Sequence, residues 1–251
     1  MSEQDRSHFE PSDFVSYHLA SMNLDPGEAG LGKALVLAWV NPETIIAETG
    51  ARKAAFGLYG VVSDGDVSIV KAPVGAPATV MVMEEMIAAG VGAFIGVGLC
   101  GSLDETLPIG SLVIAGSCHR DEGTSYHYLP PDAPVSPTDR AVAALKEAAG
   151  EELPVVAHWT IDAIYRETRG KIGRRRSQGV KTVDMEASAV YAAAAHRGVE
   201  AAMLLVVSDE LWHDTWRPGF HAERMGPARD RALGIGLRAA RDLATQLTGP
   251  S

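Results

Sequence analysis

The chain has 251 residues, of which 46% are hydrophobic and 22% are charged, and its formal net charge at pH 7 is -10. A chain of this length and composition can bury a large core, and α/β folds commonly reach this length as one domain. The acidic balance excludes a protein built to hold the nucleic-acid backbone, because that affinity comes mainly from lysine and arginine side chains neutralising phosphates. We therefore expect a small-molecule ligand and no nucleic-acid partner.

No apolar run approaches the roughly 20 residues that span a bilayer. Residues 1–8 lack the basic and then apolar pattern of a secretory signal, so the sequence predicts a cytoplasmic protein with no membrane partner. Cys100 and Cys118 lie in or beside apolar segments without disulfide-framework or zinc-finger spacing, and we interpret both as buried thiols. No cluster of potential ligands has metal-binding spacing, so no metal site is predicted.

The order of apolar runs predicts the architecture. Residues 1–12 are polar and are expected to form a flexible tail before a single domain at residues 13–251. Strand-like runs then alternate with helical ones, which is typical of a mostly parallel sheet with helices on its faces. The predicted strands are 34–40, 67–71, 93–97, 111–116, 155–159 and 201–207. The predicted helices are 79–89, 138–149, 186–197 and 222–247.

Carboxylates stand at two junctions of these elements. Asp184 and Glu186 begin an alanine-rich helical stretch, and Ser208 and Asp209 follow the apolar strand 201–207. Ligands bind beyond the carboxyl ends of the strands in open α/β sheets. We therefore expect acids from two neighbouring elements to share one pocket.

Residues 96–101 match the glycine-rich fingerprint of dinucleotide-binding sites by pattern. That fingerprint must open a helix whose N-terminus holds the pyrophosphate. Here the following segment contains Asp104, Pro108 and Gly110 and leads directly into another predicted strand. We interpret the run as a glycine-rich strand end at which the backbone can approach a small ligand.

Five motifs, in order along the chain, indicate a family. They are residues 98–103 (GLCGSL), 120–128 (RDEGTSYHY), 160–168 (TIDAIYRET), 184–186 (DME) and 208–209 (SD). On these motifs the chain resembles the nucleoside phosphorylase superfamily, which includes hexameric uridine phosphorylases, bacterial purine nucleoside phosphorylases and methylthioadenosine nucleosidases. The resemblance runs from about Tyr17 to the C-terminal helix. It implies an α/β protein with a single-domain, three-layer αβα fold and a central mixed, partly barrel-like sheet.

The resemblance implies an enzyme that cleaves the N-glycosidic bond of a purine nucleoside or uridine. The implied reaction is phosphorolysis to a free base and a pentose 1-phosphate, with inorganic phosphate as co-substrate and no cofactor. Such a reaction passes through an oxocarbenium-like sugar, so positive charge on the ribose and negative charge on the departing base must both be stabilised. Carboxyl groups suit both tasks.

The resemblance assigns catalytic roles to Glu186 and Asp209. Glu186 matches the family position that bonds the ribose hydroxyls, and Asp209 matches the acid that protonates the base in purine-cleaving members. Such an acid needs partial shielding from water, because a raised pKa keeps its proton available near neutrality. From the residues alone, Ser208 and Asp209 also fit a helix N-cap. The implied substrate-binding positions are Gly98, Leu99, Cys100, Tyr165, Arg166, Asp184, Met185 and Ser208.

Three of the implied contacts carry more specific expectations. Met185 matches a side chain that lies against the sugar, and Tyr165 matches an aromatic position near the base, with a core tyrosine as the alternative. His18 matches a histidine that reaches the 5'-hydroxyl of a nucleoside bound in the neighbouring subunit. The resemblance therefore implies a homodimer, or a hexamer built as a trimer of dimers, whose active site is shared between subunits.

The phosphate-binding positions depart from the family. Phosphorolytic relatives carry Gly-Asp-Pro-x-Arg where this chain has residues 40–44 (VNPET), so that arginine is missing. Gly96 stands where a second phosphate arginine precedes the glycine-rich turn, and a third, from the partner subunit, falls near Arg52 or Lys53. Losing two arginines removes paired charge-assisted bonds to phosphate. The residues that mark a phosphate or water site here are Glu43, Thr44, Arg52 and Lys53.

Three alternatives remain open. If Arg120 or the basic run 166–178 replaces the missing arginines, phosphorolysis is retained. If Glu43 activates water, the enzyme is instead a nucleosidase, although an acid in the first turn of a helix beside Pro42 explains Glu43 equally well. The third alternative is a non-catalytic protein that binds a nucleoside.

Overall fold

The computed structural model describes residues 7–25 and 28–248. Within them the chain forms a ten-stranded sheet flanked by α-helices. The strands are β1 Ala34–Ala38, β2 Arg52–Lys53, β3 Val62–Ser63, β4 Val67–Lys71, β5 Ala93–Ser102, β6 Leu112–Asp121, β7 Val155–Ile161, β8 Thr182–Asp184, β9 Glu200–Glu210 and β10 Arg217–Pro218. The helices are α1 Pro11–Ser21, α2 Glu43–Thr49, α3 Ala76–Ala88, α4 Asp139–Ala149, α5 Arg169–Ser177, α6 Ala187–Arg197 and α7 Met225–Thr248.

Five strands close into a barrel-like sheet. β9, β6, β7, β8 and β5 follow one another, and β5 pairs again with β9. The β5–β9 ladder is parallel, whereas β6–β9 and β5–β8 are antiparallel, so the sheet is mixed. From β5 the sheet continues outward through β1, β4, β3 and β2. The predicted α/β fold with a mixed, partly barrel-like sheet is confirmed.

Helices cover both faces of the sheet. Side chains alternate along each strand, and those on one face, such as Phe94 and Met203, share a core with α3 and α6. Those on the other face, such as Ile95 and Leu204, share a core with α4 and α7. The apolar run of β9 is therefore buried throughout, as expected for a strand covered on both faces.

Several strands run further than the apolar runs that predict them. β5, β6 and β9 end at Ser102, Asp121 and Glu210, each in polar sequence. Backbone pairing with neighbouring strands extends these strands into polar sequence, since Ser102 pairs with Glu210 and Asp121 pairs with Ile161. The polar ends of β5 and β9 are thereby held side by side.

The sequence analysis does not predict α1 and α5, and it gives α2 only as an alternative explanation of Glu43. α1 begins at Pro11, inside the segment 1–12 that is expected to be a tail, because proline fits the first turn and Asp13 accepts a 2.8 Å hydrogen bond from the backbone N–H of Glu10. Residues 1–6 of that segment lie outside the described residues. α5 carries consecutive arginines and no apolar stripe, so periodicity does not indicate it.

The two cysteines differ in burial. Cys100 is a buried residue, and Cys118 is half-buried as a residue with its side chain packed against the core. Burial raises the pKa of both thiols, and the charge of Asp184 adds to the shift. Among residues 7–25 and 28–248, no helix is long and apolar enough to cross a membrane.

Candidate active site

A cavity of about 440 Å³ opens where β5, β8 and β9 end. β5 contributes residues 98–101, the junction of β8 and α6 contributes residues 183–186, and β9 contributes Ser208 and Asp209. The rest of the wall comes from Trp39 and Val74, from the loop after β7 and from the hairpin after β9. The two acidic clusters therefore share one pocket, as their positions at strand ends predict.

Most of the residues predicted to bind or act on a substrate line this cavity. They are Gly98, Leu99, Cys100, Tyr165, Asp184, Met185, Glu186, Ser208 and Asp209. Arg166 is exposed and is not part of the lining. Glu167 and Trp216 line the cavity but are not predicted from the sequence.

The charged side chains of the cavity are all acidic. Asp184, Glu186, Glu167 and Asp209 line it, and no lysine, arginine or histidine of the described residues does so. The rest of the lining is largely apolar and includes the rings of tryptophan, tyrosine and phenylalanine. A carboxyl group in such surroundings loses hydration, which favours its neutral form.

Glu186 lies between the end of β8 and the first residue of α6. Its Oε1 accepts a 2.6 Å hydrogen bond from the backbone N–H of Gly75, and the residue is only 7% exposed. Burial, together with the charge of Asp184, raises the pKa of Glu186 to about 8. Gly75 has a φ of 100°, which favours glycine, and this conformation directs its N–H to the carboxyl group. Glu186 is therefore poised to ionise when positive charge develops nearby.

Asp184 lines the same cavity, but its carboxyl oxygens accept hydrogen bonds from other residues of the protein. Oδ2 accepts a 2.9 Å hydrogen bond from the backbone N–H of Ala187. Oδ1 accepts a 2.8 Å hydrogen bond from the hydroxyl of Thr160 and lies 2.9 Å from Nε2 of His158. His158 is fully buried, and the sequence analysis does not identify it. This network fixes the start of α6 and, with it, the position of Glu186.

Asp209 is held by one hydrogen bond to each carboxyl oxygen. Oδ1 accepts from the hydroxyl of Ser208 at 2.7 Å, and Oδ2 accepts from the indole N–H of Trp216 at 2.8 Å. The Ser208 oxygen also lies 3.2 Å from the carbonyl oxygen of Cys100, so its single proton can turn to either acceptor. β9 continues through Asp209 to Glu210 without starting a helix, so the alternative of a helix N-cap is wrong.

The loop after β7 supplies a tyrosine and an acid. Tyr165 is 97% exposed at the cavity, so the alternative of a core tyrosine is wrong. Glu167 is half-buried, and burial followed by the charge of Asp209 raises its pKa to about 7. The sequence signal for Glu167 is an acid that follows a strand end within the motif 160–168. That signal is weak without the fold.

The residues expected at a phosphate or water site lie outside the cavity of this chain. Glu43 and Thr44 begin α2 and are exposed, and Oε2 of Glu43 accepts a 3.2 Å hydrogen bond from the side-chain amide of Asn41. This placement matches the alternative of a first-turn helix acid for Glu43. Arg52 and Lys53 form β2, an exposed edge strand. None of the four lines the cavity.

The two candidates that could replace the missing arginines also lie outside the cavity. Arg120 donates hydrogen bonds to the backbone oxygens of residues 129 and 130 and so holds a loop. In the basic run 166–178, Lys171 pairs with Asp121 at 2.7 Å. Neither Arg120 nor the cations of that run line the cavity. Within this chain, the two candidates therefore do not bring a cation to the cavity.

His18 also lies outside the cavity of its own chain. It is on α1, where its Nε2 lies 2.8 Å from the backbone oxygen of Phe56. The same helix leaves Tyr17 76% exposed and Phe14 38% exposed. His18 therefore belongs to a surface with exposed aromatic rings rather than to the acidic pocket.

β5 approaches the cavity with its backbone. A Cβ added to Gly96 would lie 2.8 Å from Cγ of Met203, and one added to Gly101 would lie 2.7 Å from Cδ1 of Leu211. Only glycine fits both positions without a shift of its neighbours. β5 runs continuously through residues 96–101 and opens no helix, so the dinucleotide fingerprint is excluded, as the sequence analysis expects.

Known proteins similar to this chain identify its family. The model of the phosphorylase superfamily matches residues 33–239. A guanosine phosphorylase from Halorubrum lacusprofundi is 28% identical over 169 residues, which is 66% of this chain and 70% of that protein. A uridine phosphorylase from Salmonella typhimurium is 24% identical over 199 residues, which is 72% of this chain and 77% of that protein.

A solved structure shares the fold. A purine nucleoside phosphorylase from Toxoplasma gondii, in complex with immucillin-H, matches with a TM-score of 0.76 over 89% of this chain and 95% of that one. The sequence identity of 21% makes this a likeness of fold alone. The assignment to a family rests on the match of the family model over most of the chain. The chain therefore belongs to the phosphorylase superfamily and is an enzyme.

Proposed function

We propose that this enzyme cleaves the N-glycosidic bond of a nucleoside by phosphorolysis, giving a free base and a pentose 1-phosphate. The observation that supports this most is that Glu186 and Asp209, from two different elements, line one cavity together with Met185. Two carboxyl groups in one pocket fit a reaction in which positive charge develops on a sugar and negative charge on a leaving group. Relatives named guanosine phosphorylase and uridine phosphorylase support a purine nucleoside or uridine as the substrate.

At the sugar, the proposal assigns Glu186 to the ribose hydroxyls and Met185 to the face of the ring. Burial raises the pKa of Glu186, and the positive charge of the oxocarbenium-like sugar opposes this shift, so we propose that Glu186 releases its proton to solvent and faces the sugar as a carboxylate. The carboxylate then stabilises the transition state more than the ground state. That difference in binding is what accelerates a reaction.

At the base, the proposal assigns Asp209 to proton delivery and the rings of Tyr165 and Trp216 to stacking. The hydrogen bonds from Trp216 and Ser208 hold the Asp209 carboxyl group in one orientation. A proton passed from Asp209 to the base nitrogen lets the base leave as a neutral molecule.

Phosphorolysis also needs a cationic anchor for phosphate, and the described residues place none in the cavity of the same chain. Arg52 and Lys53 lie on an exposed edge strand, and His18 lies on the exposed surface of α1, where a second copy has access to them. We therefore propose a homodimer, or a hexamer built as a trimer of dimers, in which the partner supplies the phosphate anchor and a contact to the 5'-hydroxyl.

Hydrolysis is the second candidate, and the acidic lining of the cavity favours it. A pocket lined by carboxyl groups and by no cation of the described residues disfavours a phosphate anion but not a water molecule. Glu43 lies outside this pocket, so activation of water falls to one of the acids within it. The product would then be free ribose instead of a pentose 1-phosphate.

Product analysis in the presence of phosphate and after its exhaustive removal tests the proposal. Purified protein is incubated with guanosine, inosine, adenosine, methylthioadenosine and uridine. A pentose 1-phosphate formed only with phosphate supports phosphorolysis, and free ribose formed without phosphate supports hydrolysis. Binding of a nucleoside without turnover of any of the five contradicts both and supports a non-catalytic binding protein.

A matched pair of variants tests the phosphate anchor. Loss of a charged hydrogen bond costs about 1.5–3 kcal/mol, so Arg52→Gln with Lys53→Gln should raise the KM for phosphate by about tenfold or more. Lys146→Gln, which removes an exposed charge on α4, serves as the control and should leave that KM unchanged. An unchanged KM in the double variant contradicts the assigned anchor.

A further inference from the structure

We propose that Trp39 is a positioning residue for Glu186 and that it acts through residues 72–75, the β4–α3 loop. This inference rests on the proposed cleavage of a nucleoside and adds to it a residue that holds the carboxyl group at the sugar in place. Trp39 directly follows β1 and lines the cavity, and the family resemblance assigns it no role.

The β4–α3 loop makes hydrogen bonds in two directions. On one side, the carbonyl oxygen of Pro73 accepts from the indole N–H of Trp39 at 2.8 Å and from the hydroxyl of Thr79 at 2.9 Å. On the other side, the backbone N–H of Gly75 donates to Oε1 of Glu186 at 2.6 Å. The two donors to Pro73 therefore hold the loop that directs an N–H at the carboxyl group.

The conformation of Gly75 needs this support. Glycine adopts many backbone conformations at little cost, so local preference does not fix the φ of 100° at Gly75. The backbone N–H of Thr79 donates a 3.1 Å hydrogen bond to the carbonyl oxygen of Gly75, which holds one side of the residue. The bonds to Pro73 hold the other side. Loss of a bond to Pro73 should therefore let the Gly75 N–H turn away from Glu186.

Trp39 is itself held against β5. Its backbone N–H donates a 2.9 Å hydrogen bond to the carbonyl oxygen of Val97. Its ring packs on the backbone of the same strand, because a Cβ added to Gly96 would lie 3.2 Å from Cζ3 of the ring and one added to Gly98 would lie 3.4 Å from Cε3. The glycine that replaces a phosphate arginine of the family at position 96 thus leaves room for the indole.

The hydrogen bond from Gly75 favours the charged form of Glu186. Burial, followed by the charge of Asp184, raises the pKa of Glu186 to about 8, and the backbone N–H groups of Gly75 and Met185 oppose that rise. No lysine, arginine or histidine of the described residues lines the cavity to do the same. The titratable groups that line it beside Glu186 are acids, a thiol and a phenol: Asp184, Glu167, Asp209, Cys100 and Tyr165. Donation from the backbone therefore takes the place of a cation.

Trp39→Phe tests this inference, because it keeps an aromatic ring on β5 and removes the indole N–H. The titration of Glu186 is followed in the free protein by NMR of the side-chain carboxyl carbons, with its signal assigned from Glu186→Gln. We expect the pKa of Glu186 to rise by about half a unit to one unit. With the nucleoside that the wild type cleaves fastest, kcat/KM at about pH 7 should then fall by about threefold to tenfold. The ratio of wild type to variant should approach one as pH rises above both pKa values.

Two further variants serve as a parallel test and a control. Thr79→Val keeps the shape of a buried side chain and removes the other donor to Pro73, so it should shift the titration of Glu186 in the same direction. Trp212→Phe makes the same replacement at an indole whose N–H has no hydrogen-bond partner within the described residues. It should leave both the titration and kcat/KM unchanged.

The outcomes separate this inference from the proposed function. An unchanged titration of Glu186 in Trp39→Phe overturns the positioning role, and so does a loss of kcat/KM that is equal at every pH. If the wild type cleaves no nucleoside, the proposed function fails, whereas the titration in the free protein still decides whether Trp39 positions Glu186. If Trp39→Phe melts at a lower temperature than the wild type, the titration in Thr79→Val decides, because a shift there supports the role of the bonds to Pro73 and no shift overturns it.

Discussion

The two ends of the cavity are built differently. At the sugar end, Asp184 and Glu186 lie at the junction of a strand and a helix and are held by hydrogen bonds from β7, α6 and the residue before α3. At the base end, Tyr165 and Glu167 lie on a loop and Trp216 lies on a hairpin, where they are half-buried or exposed. The groups that the proposed function assigns to the sugar, which all nucleosides share, are fixed by regular structure. Of the groups that the proposed function assigns to the base, Asp209 lies near the end of β9, whereas Tyr165 and Trp216 lie on segments that can change without disturbing the sheet.

The largest effect is expected from the sugar end. Glu186→Gln keeps the shape of the side chain and an oxygen for the N–H of Gly75, but it removes the negative charge available to the oxocarbenium-like sugar. We expect kcat to fall by about 10³-fold for every nucleoside that is cleaved, because a group that stabilises transition-state charge is lost. Steady-state kinetics with a purine nucleoside and with uridine measures this. A loss confined to one of the two bases contradicts a role at the sugar.

The stability of the same variant provides the control. Because the pKa of Glu186 is raised from 4.5 in the unfolded reference to about 8, the folded protein keeps a proton that the unfolded chain releases. The free energy of unfolding should therefore decrease as pH rises between these two values. Glu186→Gln removes that contribution, so its melting temperature relative to the wild type should be higher at about pH 8 than at about pH 5. If the melting temperature of the variant at pH 8 is instead lower than that of the wild type, the loss of activity results from damage to the fold.

The second effect is expected from the base end and should depend on the base. Asp209→Asn keeps an acceptor oxygen for the indole N–H of Trp216 but cannot carry a transferable proton. We expect cleavage of purine nucleosides to fall by about 10²-fold. Cleavage of uridine should fall less, because negative charge on uracil is delocalised onto its carbonyl oxygens. Near-normal turnover of purine nucleosides by the folded variant refutes Asp209 as the acid.

The residues at the ends of strands and helices and those on the loop and the hairpin also differ in how well the sequence predicts them. Asp184 and Glu186 precede an alanine-rich helix and Asp209 follows an apolar strand, so their positions at element ends can be predicted locally. Trp216 reaches Asp209 because β10 folds back and Pro218 pairs with Asp209, a contact that no local pattern indicates. Glu167 gains its surroundings from β9, which is distant in sequence. Sequence patterns therefore identify the acids at strand and helix ends better than the residues of the loop after β7 and of the hairpin after β9.

Element length sets a second limit on prediction. β8 has three residues, Thr182 to Asp184, which are too few to show an alternation of polar and apolar side chains. Its place in the sheet is set by antiparallel pairing with β5 and parallel pairing with β7. His158 is recognisable as part of the site only after that pairing brings it beside Asp184. The barrel closure could thus be expected from the family resemblance, but not from periodicity.

A smaller effect should follow from the hydrogen bond between the hairpin and Asp209. Trp216→Phe keeps an aromatic ring and removes the indole N–H that contacts Oδ2 of Asp209. We expect kcat/KM to fall by about tenfold, which corresponds to the loss of one hydrogen bond. Trp212→Phe is a matched control on the same hairpin, because the indole N–H of Trp212 has no hydrogen-bond partner within the described residues. Equal losses in the two variants contradict a specific role of the Trp216 bond.

The smallest effect is expected from Tyr165, which contributes a ring and little to the fold. Tyr165 is 97% exposed, so Tyr165→Ala should change the free energy of unfolding by less than about 0.5 kcal/mol. Loss of stacking worth about 0.5–1.5 kcal/mol should raise the KM for the nucleoside by about threefold to tenfold with little change in kcat. Tyr165→Phe keeps the ring and should restore the KM. If kcat falls while KM is unchanged, Tyr165 contacts the transition state. The loop after β7 would then take part in the reaction and not only in binding, and the contrast between the two ends of the cavity would no longer hold.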